Sequence, residues 1–379
     1  MFRATWRLWP FVLALFAAAP AWAQNQGNDP FQQLDRDRDG KLLRTETPEA
    51  LLPIFDSMDA NQDGVLTRQE FDTARARAER RRAEARMPLK PTHPDVAYGP
   101  HERNVLDLYL AESEAPTPLV LYIHGGGFQG GDKRSLNPAE ARAYLDAGWS
   151  VAAINYRLTS TAPAPAAYLD CARALQFLRH HAKKWNLDPT RVASTGGSAG
   201  AGTSLWIAFH DDLADPQSDD PIARESTRLT CVVVSNGQSS YDPRFAEKIG
   251  LPRPNFERHP FFLPFYGITR DEIDSPRAYR LYEEMAPISY LTKDDPPALL
   301  LYSFADEEVS NRSALNLVVH HPKFGIALKE RMDELGIECI VQYRDAQTGR
   351  IVRHKESEPP INAVQFIRKH FEQARPDKT

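Results

Sequence analysis

Arg191-Val-Ala-Ser-Thr-Gly-Gly-Ser198-Ala-Gly-Ala201 decides the fold of most of this chain. Arg191 to Thr195 reads as a short strand and Ala201 to His210 as a helix. The turn between them is Gly196-Gly197-Ser198-Ala199-Gly200. A strand that runs straight into a helix leaves room only for small neighbours and presents the central side chain to solvent. Ser198 is therefore the candidate nucleophile. A free hydroxyl is a weak nucleophile and needs a base beside it. The helix starting at Ala199 adds a positive dipole end near the reacting centre.

Upstream, the apolar run Leu119-Val-Leu-Tyr-Ile123 leads into His124-Gly125-Gly126-Gly127-Phe128. Backbone N–H groups in such a loop are free to face a developing oxyanion. Either glycine run alone would fit an ordinary tight turn. Both together, in this order, each after a strand-like run, point to acyl-transfer chemistry. Around them strand-like and helical segments alternate. Strands are expected at Val105 to Leu110, Ser150 to Asn155, Leu229 to Val234, Ala298 to Phe304 and Glu338 to Tyr343. Helices are expected at Leu169 to Lys183, Ala327 to Leu335 and Ile361 to Phe371. That alternation predicts an α/β fold with a largely parallel sheet flanked by helices.

These residues resemble an α/β-hydrolase of the HGGG-type esterase/lipase group, near its hormone-sensitive-lipase-like and bacterial feruloyl-esterase-like branches. The resemblance covers Asp95 to Glu372. It includes Val105-Leu-Asp-Leu-Tyr-Leu110, Asn155-Tyr156-Arg157 and Asp188-Pro189-x-Arg191. It implies oxyanion donors at Gly126, Gly127 and Ala199, with His124 holding the glycine loop. The acid and base of this group follow the nucleophile in that order. Asp306-Glu-Glu-Val309 matches the group's acid motif, although Ser303-Phe304 stands where its usual His-Gly precedes the acid. Asp306 is the expected acid, with Glu307 and Glu308 as alternatives; a solvated acidic turn is the bland reading of all three. His354, between the last expected strand and the closing helix, is the expected base. Ala346-Gln-Thr-Gly349 before it reads as a hairpin turn. His370 falls in the closing helix, and His320-His321 reads as structural or near the pocket. The insertion Asp242 to Glu284 is expected to cap the site. Its Phe261, Phe262, Phe265 and Tyr266 either line an acyl site or form the cap's own core.

The first part of the chain carries a different pattern. Asp35-Arg-Asp37-Arg-Asp39-Gly40-Lys41-Leu42-Leu43-Arg-Thr-Glu46 and Asp59-Ala-Asn61-Gln-Asp63-Gly64-Val65-Leu66-Thr67-Arg-Gln-Glu70 both fit the EF-hand loop. Calcium takes six to eight oxygens, supplied there by positions 1, 3 and 5, the position-7 carbonyl and a bidentate Glu at position 12. The expected ligands are Asp35, Asp37, Asp39, Lys41 and Glu46, then Asp59, Asn61, Asp63, Val65 and Glu70. Leu43 gives no oxygen at position 9 and Arg36 and Arg38 offset charge, so the second loop is expected to be the better site. Leu42 and Leu66 are placed to pair the loops. The intervening segment, Thr47 to Met58, must serve both, with Pro48 and Pro53 limiting its helix. Calcium is expected in this pair in a structural or docking role rather than as a sensor, with no part in the chemistry. Phe71 to Arg86 reads as a solvated helix, followed by a Pro-rich linker at Pro88, Pro91 and Pro94.

Composition bounds the rest. The chain has 379 residues and a net charge of −5, which gives no reason to expect nucleic-acid binding. Arg3 and Arg7, the apolar run Pro10 to Ala19 and Ala21-Trp22-Ala23 read as a signal peptide over residues 1–23, with a mature start near Gln24. No other stretch is apolar and long enough to span a bilayer. The expected location is periplasmic or secreted. Cys171, Cys231 and Cys339 are too few for a disulfide scaffold and read as buried thiols. The expected organisation is an EF-hand pair at 24–76, a helix and linker at 77–94 and a hydrolase domain at 95–375. The expected function is an exported serine carboxylic-ester hydrolase with a Ser198-His354-Asp306 triad, acting on a small-molecule or carbohydrate ester. The alternatives are a serine peptidase of the same fold and an inactive calcium-dependent adhesion protein.

Overall fold

The computed structural model describes residues 29–47, 55, 58–61, 63–86, 89–253 and 261–374. The expected signal peptide and mature start lie outside the described residues, as does most of the segment Thr47 to Met58. No helix among the described residues is long and apolar enough to cross a membrane. The chain divides into two compact units, Met1–Pro88 and Leu89–Thr379.

The smaller unit contains α1 (Pro30–Leu34), β1 (Lys41–Leu43), β2 (Val65–Thr67) and α2 (Arg68–Arg86). Gly40 and Gly64 turn the chain at φ +80° and +82°, a left-handed conformation that favours glycine. Each turn feeds a short strand, and β1 pairs antiparallel with β2, placing Leu42 opposite Leu66. Both leucines are buried against Phe31, Phe55, Met58 and Phe71, a small core separate from that of the larger unit.

The larger unit is built on a nine-stranded sheet. Its strands are β3 (His93–Ala97), β4 (Val105–Tyr109), β5 (Thr117–Ile123), β6 (Ser150–Ile154), β7 (Leu187–Gly197), β8 (Cys231–Ser235), β9 (Ala298–Ala305), β10 (Cys339–Arg344) and β11 (Ile351–Arg353). The order is β11-β10-β9-β8-β7-β5-β6-β4-β3. The run from β6 through β10 is parallel, and β3, β4 and β11 are antiparallel to their neighbours. Pro94 sits in edge strand β3, where a missing N–H is tolerated. The central strands are apolar on both faces, as a sheet covered on both sides requires. Leu119, Leu121 and Ile123 pack on one face and Val120 on the other.

The helices are α3 (Pro138–Asp146), α4 (Ala166–His180), α5 (Ala199–Phe209), α6 (Pro243–Lys248), α7 (Phe262–Tyr266), α8 (Pro276–Met285), α9 (Leu315–Val319), α10 (Lys323–Glu334) and α11 (Ala363–Gln373). Every residue of α5 is buried. The closing helix α11 starts two residues later than its apolar pattern suggests. Asn362 and Gln365 form a capping box there, and Ile361 instead donates its N–H to Gln342. The three cysteines are buried and free.

Candidate active site

The register of the central strands builds the site. Ile123 of β5 lies opposite Gly196 of β7, so the glycine loop leaves the sheet beside the Ser198 turn. The approach is backbone against backbone. A Cβ on Gly200 would lie 2.0 Å from the Ile123 carbonyl oxygen, and one on Gly125 would lie 2.7 Å from that of Gly197. Ser198 itself has φ +53° and ψ −118°, an unusual conformation for a residue bearing a side chain. Its N–H is bound to the Ser235 carbonyl at 3.0 Å, which helps hold the turn.

The glycine loop is fastened from behind. His124 is fully buried, stacked on Tyr156 at 4.3 Å, with Nδ1 2.7 Å from the Gly125 carbonyl and Nε2 3.2 Å from Arg103. Those partners assign the hydrogen to Nδ1. Burial, aided by the Arg103 charge, lowers its pKa to about 4, and with both ring nitrogens engaged by the Gly125 carbonyl and Arg103 the ring holds the loop and has no nitrogen left for Ser198. The Tyr156 hydroxyl donates to the His124 carbonyl at 2.8 Å, and Asn155 Oδ1 accepts the Lys133 N–H at 2.6 Å. Arg157 pairs with buried Asp170 through two of its nitrogens. The Asn155-Tyr156-Arg157 run thus braces the loop and its surroundings. Gly126 and Gly127 have φ +113° and +58°. Ala199 is the first residue of α5, where helix geometry leaves its N–H without an intrahelical acceptor.

The nearest base differs from the sequence expectation. His320, at the end of α9, places Nε2 2.8 Å from Ser198 Oγ. Burial lowers its pKa, and a hydrogen bond to the Asn316 carbonyl opposes that shift. Its ring lies parallel to Phe304, with centroids 6.5 Å apart. His354 is held elsewhere. Its Nδ1 is 3.3 Å from the Tyr343 hydroxyl, and its N–H donates to the Val341 carbonyl. The cause is the β10–β11 hairpin. Strand β10 runs toward the edge that carries Ser198, and β11 runs back, pairing Arg353 with Gln342. Each residue after the turn therefore moves away from the catalytic edge, and His354 arrives level with mid-strand. The turn was legible in Ala346-Gln-Thr-Gly349; its consequence for His354 follows only from the antiparallel return.

Asp306 does follow β9, yet it meets His321 rather than His320, with Oδ1 3.9 Å from His321 Nδ1. It shares with His354 a cleft of 740 Å³ that also includes Phe245, Lys323 and Lys355. Of the cap aromatics, Phe262, Phe265 and Tyr266 are buried in the main core. Phe261 faces the glycine loop, 3.6 Å from where a Gly127 Cβ would stand. Phe261 also lines a pocket of 30 Å³ with Tyr241, Phe262, Val319 and Phe324. This pocket lies between the cover of the glycine loop and the residue preceding His320.

In the smaller unit the acidic side chains turn inward. One oxygen each from Asp35, Asp37 and Asp39 lies within 4.8 Å of the others. Asp35 accepts the Gly40 N–H at 3.0 Å and Asp59 accepts the Gly64 N–H at 2.8 Å. Glu46 and Glu70 each fold back over their own loops, accepting the Leu43 and Thr67 N–H groups.

The family model BD-FAE matches residues 106–240. An EF hand model matches residues 53–73. Over 230 residues the chain is 28% identical to the probable carboxylic ester hydrolase LipM of Mycobacterium tuberculosis, covering 59% of this chain and 50% of that protein. It is 27% identical over 222 residues to esterase LipQ of the same organism, covering 57% and 49%. The chain spans about half the length of the curated relatives it matches. A truncated carbohydrate esterase from gut microbiota superposes with a TM-score of 0.55 at 20% identity, covering 74% of this chain and 96% of that one. At that identity the likeness is one of fold, and the fold is that of the α/β-hydrolases.

Proposed function

We propose that this protein is a serine carboxylic-ester hydrolase in which Ser198 is the nucleophile and His320 the base. The observation that carries the reading is the 2.8 Å contact between Ser198 Oγ and His320 Nε2, on a strand-to-helix turn beside the glycine loop. His320 Nε2 faces Ser198 Oγ and is placed to take its proton. Ser198 Oγ then attacks the ester carbonyl. The N–H groups of Gly126, Gly127 and Ala199 stabilise the tetrahedral oxyanion, an effect worth about 3–4 kcal/mol per donor in such sites. His320 returns the proton to the leaving alcohol, and water releases the acyl group by the same path.

Esterases among the relatives and a carbohydrate esterase among the fold neighbours support this class. Phe261, standing over the glycine loop, is placed to bound the acyl group of an ester on a small alcohol or a sugar. Calcium, in this reading, is held by the two loops of the smaller unit, with Asp35, Asp37, Asp39 and Glu46 in one and Asp59, Asn61, Asp63 and Glu70 in the other. It would cross-link each loop and take no part in the chemistry. Export by a signal peptide over residues 1–23 is part of the same proposal.

The test is turnover of p-nitrophenyl acetate together with mass spectrometry after exposure to a phosphonate inhibitor. The wild type is expected to turn over and to gain one phosphonyl group on Ser198. Ser198→Ala is expected to do neither. A wild type without turnover, or full turnover by Ser198→Ala, contradicts the reading.

A further inference from the structure

We propose that His321 is the positioning residue for the base, clasping the turn that carries His320 onto the loop that follows β9. The inference rests on His320 being the base. A base supplied from a short helix end and a turn has no strand to fix it, so the precision of the contact with Ser198 must come from local ties. The structure provides several, all between residues 319 and 324. Gln238 Nε2 donates to the Val319 carbonyl at 2.5 Å, and Ser239 Oγ donates to that of Phe324 at 2.9 Å. Between them stands His321, fully buried.

The His321 ring is used at both ends. Nδ1 accepts the Lys323 N–H at 3.2 Å, which closes the turn upon itself. The ring hydrogen must then lie on Nε2, which donates to the Glu307 carbonyl at 2.8 Å. The second bond is the long-range one, joining the base-bearing turn to the chain just past Asp306. Asp306, at 3.9 Å from a nitrogen already used as an acceptor, is too far for a hydrogen bond and of no use as an orienting acid there. His321 therefore acts as a neutral, two-ended strut. Placement errors near 1 Å at a reacting pair cost about 100-fold in rate.

Four proteins test this: wild type, His321→Ala, His321→Gln and His320→Ala, each assayed for kcat and KM on p-nitrophenyl acetate, with thermal melting as the folding control. Gln keeps a donor long enough to reach the Glu307 carbonyl. His321→Ala is expected to lose about 100-fold in kcat with KM changed less than about 3-fold. His321→Gln is expected to recover to within about 5-fold of wild type. If His321→Ala does not fold, His321→Asn takes its place, since it keeps the acceptor for Lys323 and lacks the reach to Glu307. A folded His321→Ala or His321→Asn with wild-type kcat, or a folded His321→Gln as slow as either, overturns the proposal while His320→Ala is inactive. Full activity in His320→Ala overturns the base assignment on which it rests.

Discussion

In the proposed reading a single side chain, His320, takes the role that the sequence assigned to His354, since its Nε2 stands 2.8 Å from Ser198 Oγ. The Ser198 turn and the glycine loop were legible because their demands are local: small residues are needed at a backbone contact of 2.0 Å for any added Cβ at Gly200. The histidine that faces Ser198 was not, because a histidine has no local signature and its reach depends on where distant elements end. His320 is also half-buried beside Phe304, and that partial desolvation lowers its pKa from the usual 6.5. A base works only when neutral, so activity is lost as pH falls through its pKa. The acid limb of kcat/KM is therefore expected to have its midpoint below 6.5. A pH profile of p-nitrophenyl acetate hydrolysis checks this, and a midpoint above 6.5 would contradict it.

Elements explain what single residues do not. Strands β4 to β10 lie within a few residues of where the alternation of apolar runs put them, since a sheet covered on both faces leaves nearly continuous apolar segments. The β10–β11 hairpin is the exception that matters, turning His354 back from the catalytic edge. The cap divides in a way that composition alone could not decide. Phe262, Phe265 and Tyr266 are core, and Phe261 is the one that faces the glycine loop. Standing over the glycine loop, Phe261 bounds the acyl group in the proposed reading. Phe261→Ala is expected to raise kcat/KM for butyrate relative to acetate by about 10-fold, the discrimination typical of one or two methylenes. An unchanged acetate-to-butyrate ratio would place the acyl group elsewhere.

At the scale of the whole molecule the two units have separate apolar cores, one around Leu42, Leu66 and Phe71 and one on the large sheet. In the smaller unit the turns at Gly40 and Gly64 and the pairing of Leu42 with Leu66 were legible in the sequence, since both are set within a twelve-residue pattern. Calcium at about 100 times its dissociation constant stabilises a single binding site by about 2.7 kcal/mol. Calorimetry of the full chain is therefore expected to show a transition that rises with calcium and falls on chelation, an effect reduced in Asp59→Asn. A melt indifferent to calcium would remove the metal from the account. The account as a whole turns on which histidine serves Ser198. The most direct test is kcat/KM for p-nitrophenyl acetate in His320→Ala beside His354→Ala. A loss of about 10³-fold or more in the first, with the second within about 5-fold of wild type, is the predicted result. The reverse, an active His320→Ala and an inactive His354→Ala, would contradict it.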